Sequence, residues 1–234
     1  ESDFVTQAVQ VAKLMQQPVK LIWSREQDIQ HDFYRPMVIS RMQVGLDADY
    51  NPIAWHQQMA SSSILKRLIK SSLPGMLKWL PLTKVIGDPI VSAGAEHIPY
   101  LPKDTEPATD MLLVDTNIPI GPWRSVGHSY TGFFIESTID EAALLAQQDP
   151  YNYRTKLLDH SPREKAVLDI AAQQANWGQT PANHYQGIAV VYAFGSYTAI
   201  VVELSIKNKA VTVHKVTCAV DCGKVINPNG AKAQ

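Results

Sequence analysis

The sequence predicts an α+β fold, because helical and strand patterns occur in runs along the chain instead of alternating. An amphipathic helix comes first and strand patterns follow it, three helices succeed one another in the second half, and three strands rich in β-branched residues come last. With 234 residues, 45% of them apolar, the chain can bury a sizeable core. The formal net charge of -1 would attract no polyanion, which argues against nucleic acid as a partner.

The first half predicts one helix followed by a β meander. Apolar residues recur at helical spacing over residues 4–15, Asp3 stands at the N-cap position, and Pro18 ends the helix. A turn rich in Asp and Asn separates the second strand from the third. The predicted strands are residues 19–23, 37–46 and 53–60.

The middle of the chain is less regular. Prolines and glycines divide short apolar stretches over residues 61–100, which predicts an irregular insertion containing a helix at residues 64–70. A loop over residues 100–109 and a strand over residues 111–115 are expected next.

The second half has clearer helix boundaries. One helix is predicted at residues 130–147, and Asp149-Pro150 begins the next, because Asp caps a helix and Pro fits its first position. Ser161 and Glu164 have the spacing of a capping box before a third helix, which Trp177-Gly178 ends. The final strands are expected at residues 187–194, 197–207 and 211–220, with a hairpin turn at residues 207–209.

Cysteine and histidine usage favours no metal site. Cys218 and Cys222 fall on one side of a strand, roughly 13 Å apart, which is too far for a disulfide. Two small apolar strand residues are the preferred interpretation, and a reactive or metal-bound pair is the alternative, although the spacing matches no common zinc pattern. The seven histidines are isolated in sequence. No apolar run approaches the roughly 18 residues that a membrane span needs.

The segment from Gly121 to His128 is the one place that looks built for a site. Two glycines and a proline fix a loop before a helix, where backbone N–H groups bind anions, and Arg124 adds donors suited to phosphate or an oxyanion. A tight connection that carries a surface arginine explains the same residues equally well.

Two further segments are weaker candidates. The polar stretch of residues 25–36 has charges of both signs and two aromatic residues, so it either lines a cleft or is a solvated connection held by local ion pairs. Asp221 follows a strand and is explained by a turn alone. The sequence contains no glycine-rich phosphate loop, no His-Glu-x-x-His and no nucleophile elbow.

In this order the segments resemble the large subunits of the molybdenum hydroxylases, the family of xanthine dehydrogenase and aldehyde oxidase, and most closely those of the isoquinoline 1-oxidoreductase beta type. No single motif is specific, but five in series are. They are Pro18 to Glu26 with Asp28, Tyr34-Arg35-Pro36, Gly121 to Gly127, Asp149-Pro150 with Arg154, and Val220-Asp221-Cys222-Gly223 with Asn227-Pro228.

The resemblance assigns a role to one loop. Trp123-Arg124-Ser125-Val126-Gly127 is similar to the family's Phe-Arg-Gly-Phe-Gly loop, which lies beside the molybdenum and pterin and shapes the substrate pocket. These five residues are therefore expected to contact the cofactor, with Arg124 at the pocket. Val126 stands where xanthine dehydrogenases have a phenylalanine that stacks on substrate, so a different pocket is implied.

The resemblance also predicts what this chain lacks. The family's glycine-rich loop would precede Glu1, and the Gly-Val-Gly-Glu segment with the general-base glutamate would follow Gln234. We therefore expect an internal piece in which residues 1–120 and 121–234 are two parts of one molybdopterin-binding region. The isolated piece is expected to bind no cofactor and to be inactive.

For the parent protein, the resemblance implies hydroxylation of an N-heterocycle or oxidation of an aldehyde, with water as the oxygen donor. It implies a molybdopterin cofactor in the cytosine dinucleotide form and a small [2Fe-2S] partner subunit. Bacterial periplasm and cytoplasm both remain open as locations. The alternative function is a non-catalytic scaffold or interaction domain that retains the fold.

Overall fold

The computed structural model describes residues 3–72 and 87–233. Within these residues helices and strands occur in separate runs, which confirms the predicted α+β class. The elements are, in chain order, α1 (Asp3–Met15), α2 (Arg25–His31), β1 (Val38–Leu46), β2 (Pro52–Ser61), α3 (Ile64–Ser72), β3 (Ala108–Leu113), α4 (His128–Leu145), α5 (Pro150–Leu157), α6 (Pro162–Ala175), β4 (His184–Ala193), β5 (Ser196–Lys207), β6 (Ala210–Asp221) and α7 (Pro228–Lys232).

The first sheet has the order β1-β2-β3, with β1 antiparallel and β3 parallel to β2. The turn between β1 and β2 forms because the Asp47 carboxylate accepts the backbone N–H groups of Asp49 and Asn51 at 2.9 and 2.8 Å. Alternation along β1 directs Met42 and Val44 toward the core. The strands predicted at residues 37–46 and 53–60 are thus confirmed.

The second sheet is an antiparallel meander with the order β4-β5-β6. Asn208 and Lys209 have φ values of 51° and 65°, as a two-residue hairpin turn requires, and they join β5 to β6 where the sequence predicted a hairpin. One face of this sheet packs with the apolar side of α6, since Val190 and Val201 share a buried cluster with Leu168.

A buried polar network ties α4 to α5 inside the core. Arg154 is fully buried, and its Nε donates to Glu136 Oε2 at 3.0 Å while its Nη1 donates to Asp140 at 2.6 Å. The hydroxyl of Tyr100 donates to Glu136 Oε1 at 2.7 Å, and the N–H of Val190 in β4 donates to Oε2 at 3.1 Å. Burial raises the pKa of Glu136, and the Arg154 charge opposes that rise.

The helix start at Asp149 is confirmed. The Asp149 side chain accepts the N–H groups of Tyr151 and Asn152, both at 3.0 Å, and Pro150 occupies the first helical position. The same carboxylate accepts the indole N–H of Trp177 at 3.0 Å, which links the start of α5 to the end of α6.

Two local predictions are wrong. Residues 19–23 have no strand partner and are not a strand; Trp23 packs instead on α1, with its indole N–H on Gln7 at 2.8 Å and its ring 5.0 Å from that of Phe4. The capping box before α6 does not form. Ser161 makes no side-chain cap bond, and the Glu164 carboxylate pairs with His97 at 3.1 Å instead of reaching back to Ser161.

Three further predictions have mixed outcomes. The third strand of the first sheet begins three residues earlier than expected, at Ala108. Both cysteines are free and exposed, but only Cys218 lies in a strand as predicted, because β6 ends at Asp221 and Cys222 follows it. The predicted irregular insertion lies partly outside the described residues, since these stop at residue 72 and resume at residue 87.

Candidate functional site

The loop of residues 121–127 lies beside the polar stretch of residues 25–36 and leads directly into the 18-residue helix α4. The two segments meet in a parallel strand bridge, where the N–H of Gly121 donates to the carbonyl of Tyr34 at 3.0 Å. The structure thus places residues 121–127, the strongest candidate from the sequence, next to residues 25–36, a weaker candidate that a solvated connection also explained.

Two successive residues of the loop have left-handed backbone conformations. The φ values are 72° at Ser125 and 38° at Val126. Positive φ is rare for a β-branched residue, and such a conformation costs on the order of 1–3 kcal/mol per residue. Bonds from outside the loop must therefore hold it in place.

Those bonds come from residues 33–35. Arg35 donates from Nη1 to the carbonyl of Val126 and from Nη2 to the carbonyl of Arg124, both at 3.1 Å. The indole N–H of Trp123 donates to the carbonyl of Phe33 at 2.5 Å. Sequence reasoning missed Arg35, because its partners lie 89 and 91 residues away and no local pattern connects them.

Both glycines of the loop are required by close approach of other residues. A Cβ on Gly121 would stand 2.9 Å from the Cβ of Phe33. A Cβ on Gly127 would stand 2.6 Å from the carbonyl oxygen of Ala93 and 2.8 Å from that of Val91. Gly127 thus lets α4 start directly against the backbone of residues 91–93.

The open side of the loop presents hydrogen-bond donors. Arg124 is exposed, and its guanidinium has no partner within residues 3–72 and 87–233. In the same ranges the N–H groups of Ser125 and Ser129 donate to no acceptor, as is usual for a helix N-terminus. The Ser125 hydroxyl donates to the carbonyl of Arg124 and contacts the hydroxyl of Ser129. Such a set of donors suits an anion.

An apolar cleft of about 510 Å³ lies on the other side of Arg35. Met37, Ile39, Val114 and Ile118 supply most of its wall, and Arg35 also lines it. This volume falls within the range of about 300–1,000 Å³ that is usual for small-molecule sites. The cleft and the loop therefore share one side chain.

His128, the first residue of α4, lies on the interior side of the loop. Its ring contacts that of Phe194 edge-on at 5.0 Å, and no partner for its Nδ1 is found in the part of the chain that is described. Burial, together with the nearby charge of His97, lowers the pKa of His128. A cavity of about 20 Å³ beside both histidines is large enough for one water molecule.

The last two motifs support the fold, and among the described residues neither Arg154 nor Asp221 makes a hydrogen bond to the loop. Arg154 lies in the buried network described above. Asp221, interpreted as a turn residue, accepts the N–H of Gly223 at 2.9 Å but also pairs with both Nε and Nη2 of Arg163 at 2.8 Å. The Arg163 guanidinium beside it lowers the pKa of Asp221 to about 2.

Among the described residues there is no group of three His, Cys, Asp or Glu side chains that could hold a metal ion. In the same part of the chain, no helix is both long enough and apolar enough to cross a bilayer.

No family model matches the sequence. The beta subunit of isoquinoline 1-oxidoreductase from Brevundimonas diminuta is 27% identical to it over 241 aligned positions, which include 100% of this chain and 29% of that protein. This chain is homologous to the isoquinoline 1-oxidoreductase beta chain. It therefore spans less than a third of that relative's length.

Two other oxidoreductases are also related to the chain. The membrane-bound aldehyde dehydrogenase [pyrroloquinoline-quinone] of Gluconacetobacter polyoxogenes is 26% identical over 93% of the chain and 30% of that protein. A nicotinate dehydrogenase subunit of Pseudomonas putida is 26% identical over 99% of the chain and 21% of that protein. The three relatives are all oxidoreductases, and they are named for three different compounds: isoquinoline, an aldehyde and nicotinate.

Solved structures give a weaker likeness. Aldehyde oxidoreductases from Desulfovibrio gigas and Desulfovibrio desulfuricans match with TM-scores of 0.44 and 0.46. Each is 16% identical in sequence and covers 88% of this chain and 24% of its own.

Proposed function

We propose that the chain is part of the cofactor-binding subunit of an oxidoreductase that hydroxylates N-heterocycles or oxidises aldehydes with water as the oxygen donor. The observation that carries the proposal is the braced loop of residues 121–127, which presents donors on its open side. The homology supports it, because the relatives are oxidoreductases named for a heterocycle or an aldehyde.

The donor set suits a cofactor that carries phosphate or many oxygen atoms. Arg124 provides a guanidinium without a partner in the described residues, and the N–H groups of Ser125 and Ser129 provide neutral donors beside it. No carboxylate pairs with Arg124 there, so an anionic group would meet little opposing charge. Residues 123–127 would hold such a group, and we propose molybdopterin, in its cytosine dinucleotide form, as that group.

When bound, the cofactor would supply the redox chemistry. The residues of this chain would bind and orient. Arg124 neutralises negative charge at the pocket, the Ser125 and Ser129 N–H groups fix the position of an oxygen atom, and Val126 forms an aliphatic wall without an aromatic stacking surface. An aliphatic wall gives weaker orientation of a flat substrate than a ring does.

The name of one relative includes pyrroloquinoline quinone, which is a second cofactor candidate. It is also an anion, so the same donors would suit it. Molybdenum distinguishes the two candidates, because only the molybdopterin form carries it.

We also propose that residues 1–120 and 121–234 are two parts of one cofactor-binding region within a longer subunit. Exposed apolar side chains such as Val216 and Ile226 fit contact with further polypeptide. A small [2Fe-2S] subunit is the proposed electron-transfer partner, and the isolated chain is proposed to be inactive.

The decisive experiment is metal analysis by mass spectrometry, with pterin fluorescence after oxidation, on the full-length protein co-expressed with its neighbouring small subunit. Molybdenum and pterin near one per protein are expected. Their absence, under conditions that load a control hydroxylase, would refute the molybdenum proposal and favour the scaffold. Quinone without molybdenum would favour the second cofactor.

The loop has its own test in the same protein. Arg124→Gln should lower the pterin content or raise KM at least tenfold, because it removes the one charged side chain of residues 121–127. Arg41→Gln is the matched control, since Arg41 is an exposed arginine in the middle of β1. Equal pterin content and equal KM in the two variants would remove Arg124 from the site.

A further inference from the structure

We infer that Arg35 is a positioning residue that sets the conformation of the loop of residues 121–127. This inference rests on the proposed function, in which that loop contacts the cofactor. Arg35 itself lies outside the loop and takes no part in the donor set.

The first step is that two residues of the loop have unfavourable backbone conformations. Ser125 and Val126 both have positive φ, and neither is glycine. Within the loop, the N–H of Val126 donates to the carbonyl of Trp123 at 2.9 Å, which closes a turn but leaves the carbonyls of Arg124 and Val126 without a backbone partner inside the loop. Relaxation of these two residues would turn both carbonyls away from their present direction.

The second step is that one planar guanidinium binds both carbonyls. The two Nη atoms of Arg35 reach the carbonyls of Arg124 and Val126 at 3.1 Å each. The two bonds span Ser125 and Val126, so a change in the backbone conformation of either residue would turn one carbonyl away from Arg35. A lysine ammonium is a single point of charge on a flexible stem and cannot reproduce this pair of directed bonds.

The third step is that Arg35 is itself fixed. The backbone of Tyr34 pairs with the segment before the loop, through its N–H to Pro119 at 2.9 Å and its carbonyl to Gly121 at 3.0 Å. On the other side, Pro36 is buried and has a restricted φ. The backbone on both sides of Arg35 is thus held in place, by the Tyr34 bridge before it and by Pro36 after it.

The functional consequence follows from the planarity of the peptide bond. In a trans peptide the C=O and the following N–H point in opposite directions. Because Arg35 draws the Arg124 carbonyl toward itself, the N–H of Ser125 points away from Arg35 and stays available to a ligand. Without Arg35, the donor side of the loop would lose its fixed geometry while keeping every one of its own residues.

Trypsin provides a direct readout of loop conformation, because it cleaves after the exposed residue Arg124. In Arg35→Met and Arg35→Lys, native-state cleavage after Arg124 should rise at least tenfold relative to cleavage after Lys209, in the exposed β5–β6 turn. The ratio cancels any general loss of stability, which would speed both cuts. Arg41→Lys should leave the ratio within twofold of the wild-type chain.

The full-length protein then separates the two proposals. Arg35→Met should also lower its pterin content or raise KM severalfold. An unchanged cleavage ratio in Arg35→Met would overturn the positioning role, and full rescue by Arg35→Lys would show that charge, not the fork, is what matters. A raised ratio with unchanged pterin content and kinetics would instead uphold the positioning role and refute the proposed function of the loop.

Discussion

Removal of the buried guanidinium of Arg154 should destabilise the chain more than loss of any surface arginine. Arg154 is 0% exposed, and the carboxyl of Glu136 beside it belongs to a residue that is 6% exposed. In Arg154→Met the methionine fills much of the space but leaves Glu136 buried without its cation.

The size of the effect follows from the bonds that are lost. The Arg154 guanidinium donates to Glu136 Oε2 and to the Glu136 carbonyl at 3.0 Å each, to Asp140 at 2.6 Å and to the Pro150 carbonyl at 3.2 Å. Breaking a buried pair by removing one partner costs about 3–5 kcal/mol. The hydroxyl of Tyr100 and the N–H of Val190 remain on Glu136, which places the expected loss near the lower end, at about 3 kcal/mol.

Urea unfolding followed by tryptophan fluorescence at neutral pH measures this loss. Arg163→Met is the matched control, because Arg163 forms a bidentate pair with Asp221 at the surface, where both side chains are more than a third exposed. Solvent screens such a pair, so its loss should lower the free energy of unfolding much less than the loss of Arg154 does. In a Glu136→Gln background, Arg154→Met should cost less than half as much, since no buried charge is left behind. Equal losses in the Arg154 and Arg163 variants would refute this reasoning.

Three further outcomes are expected. Gly127→Ala should lower the free energy of unfolding by about 1–3 kcal/mol, because its Cβ would collide with backbone, whereas Gly187→Ala, with no atom within 4 Å of its Cβ, should leave the urea midpoint nearly unchanged. The pKa of Asp221 is depressed to about 2, so its stabilising pairing persists above the ordinary aspartate pKa and is lost as pH falls toward 2; Arg163→Gln should return that pKa toward its usual range in an NMR titration. Both cysteines should react with a thiol reagent in the native chain, and mass spectrometry after mild oxidation should find no intramolecular disulfide.

Local sequence patterns predicted most elements of the fold. Helix caps and turns depend on residues a few positions apart, so Asp149-Pro150 and the turn at Asn208 were found where the pattern placed them. The strand predicted at residues 19–23 was wrong for the opposite reason. A strand needs another strand to pair with, and an apolar run in the sequence does not show whether such a partner exists. Ser161 and Glu164 have the spacing of a capping box, but the Glu164 carboxylate pairs with His97, which lies 67 residues away in the sequence.

The sequence predicted the loop of the candidate site but not the contacts that hold the loop in place. The glycines and the arginine of residues 121–127 are visible in sequence because a loop before a helix has a local signature. Its bracing is not visible, since Arg35 acts through backbone carbonyls, which every residue type possesses. The nearest usable signal is Arg35-Pro36 itself, a long donor side chain next to a residue with a fixed backbone.

The arginines of this chain show why a series of family-like motifs informs about fold more than about substrate. Arg154 pairs with the buried carboxylate of Glu136, Arg163 pairs with Asp221 at the end of β6, and Arg35 binds the loop. Arg124 alone among these four is exposed on the loop itself. Three of these roles maintain structure, so they would persist in relatives that act on different molecules. Under the proposed function, substrate preference should therefore depend on the side chains of Val126 and of the apolar cleft residues, which make none of these hydrogen bonds.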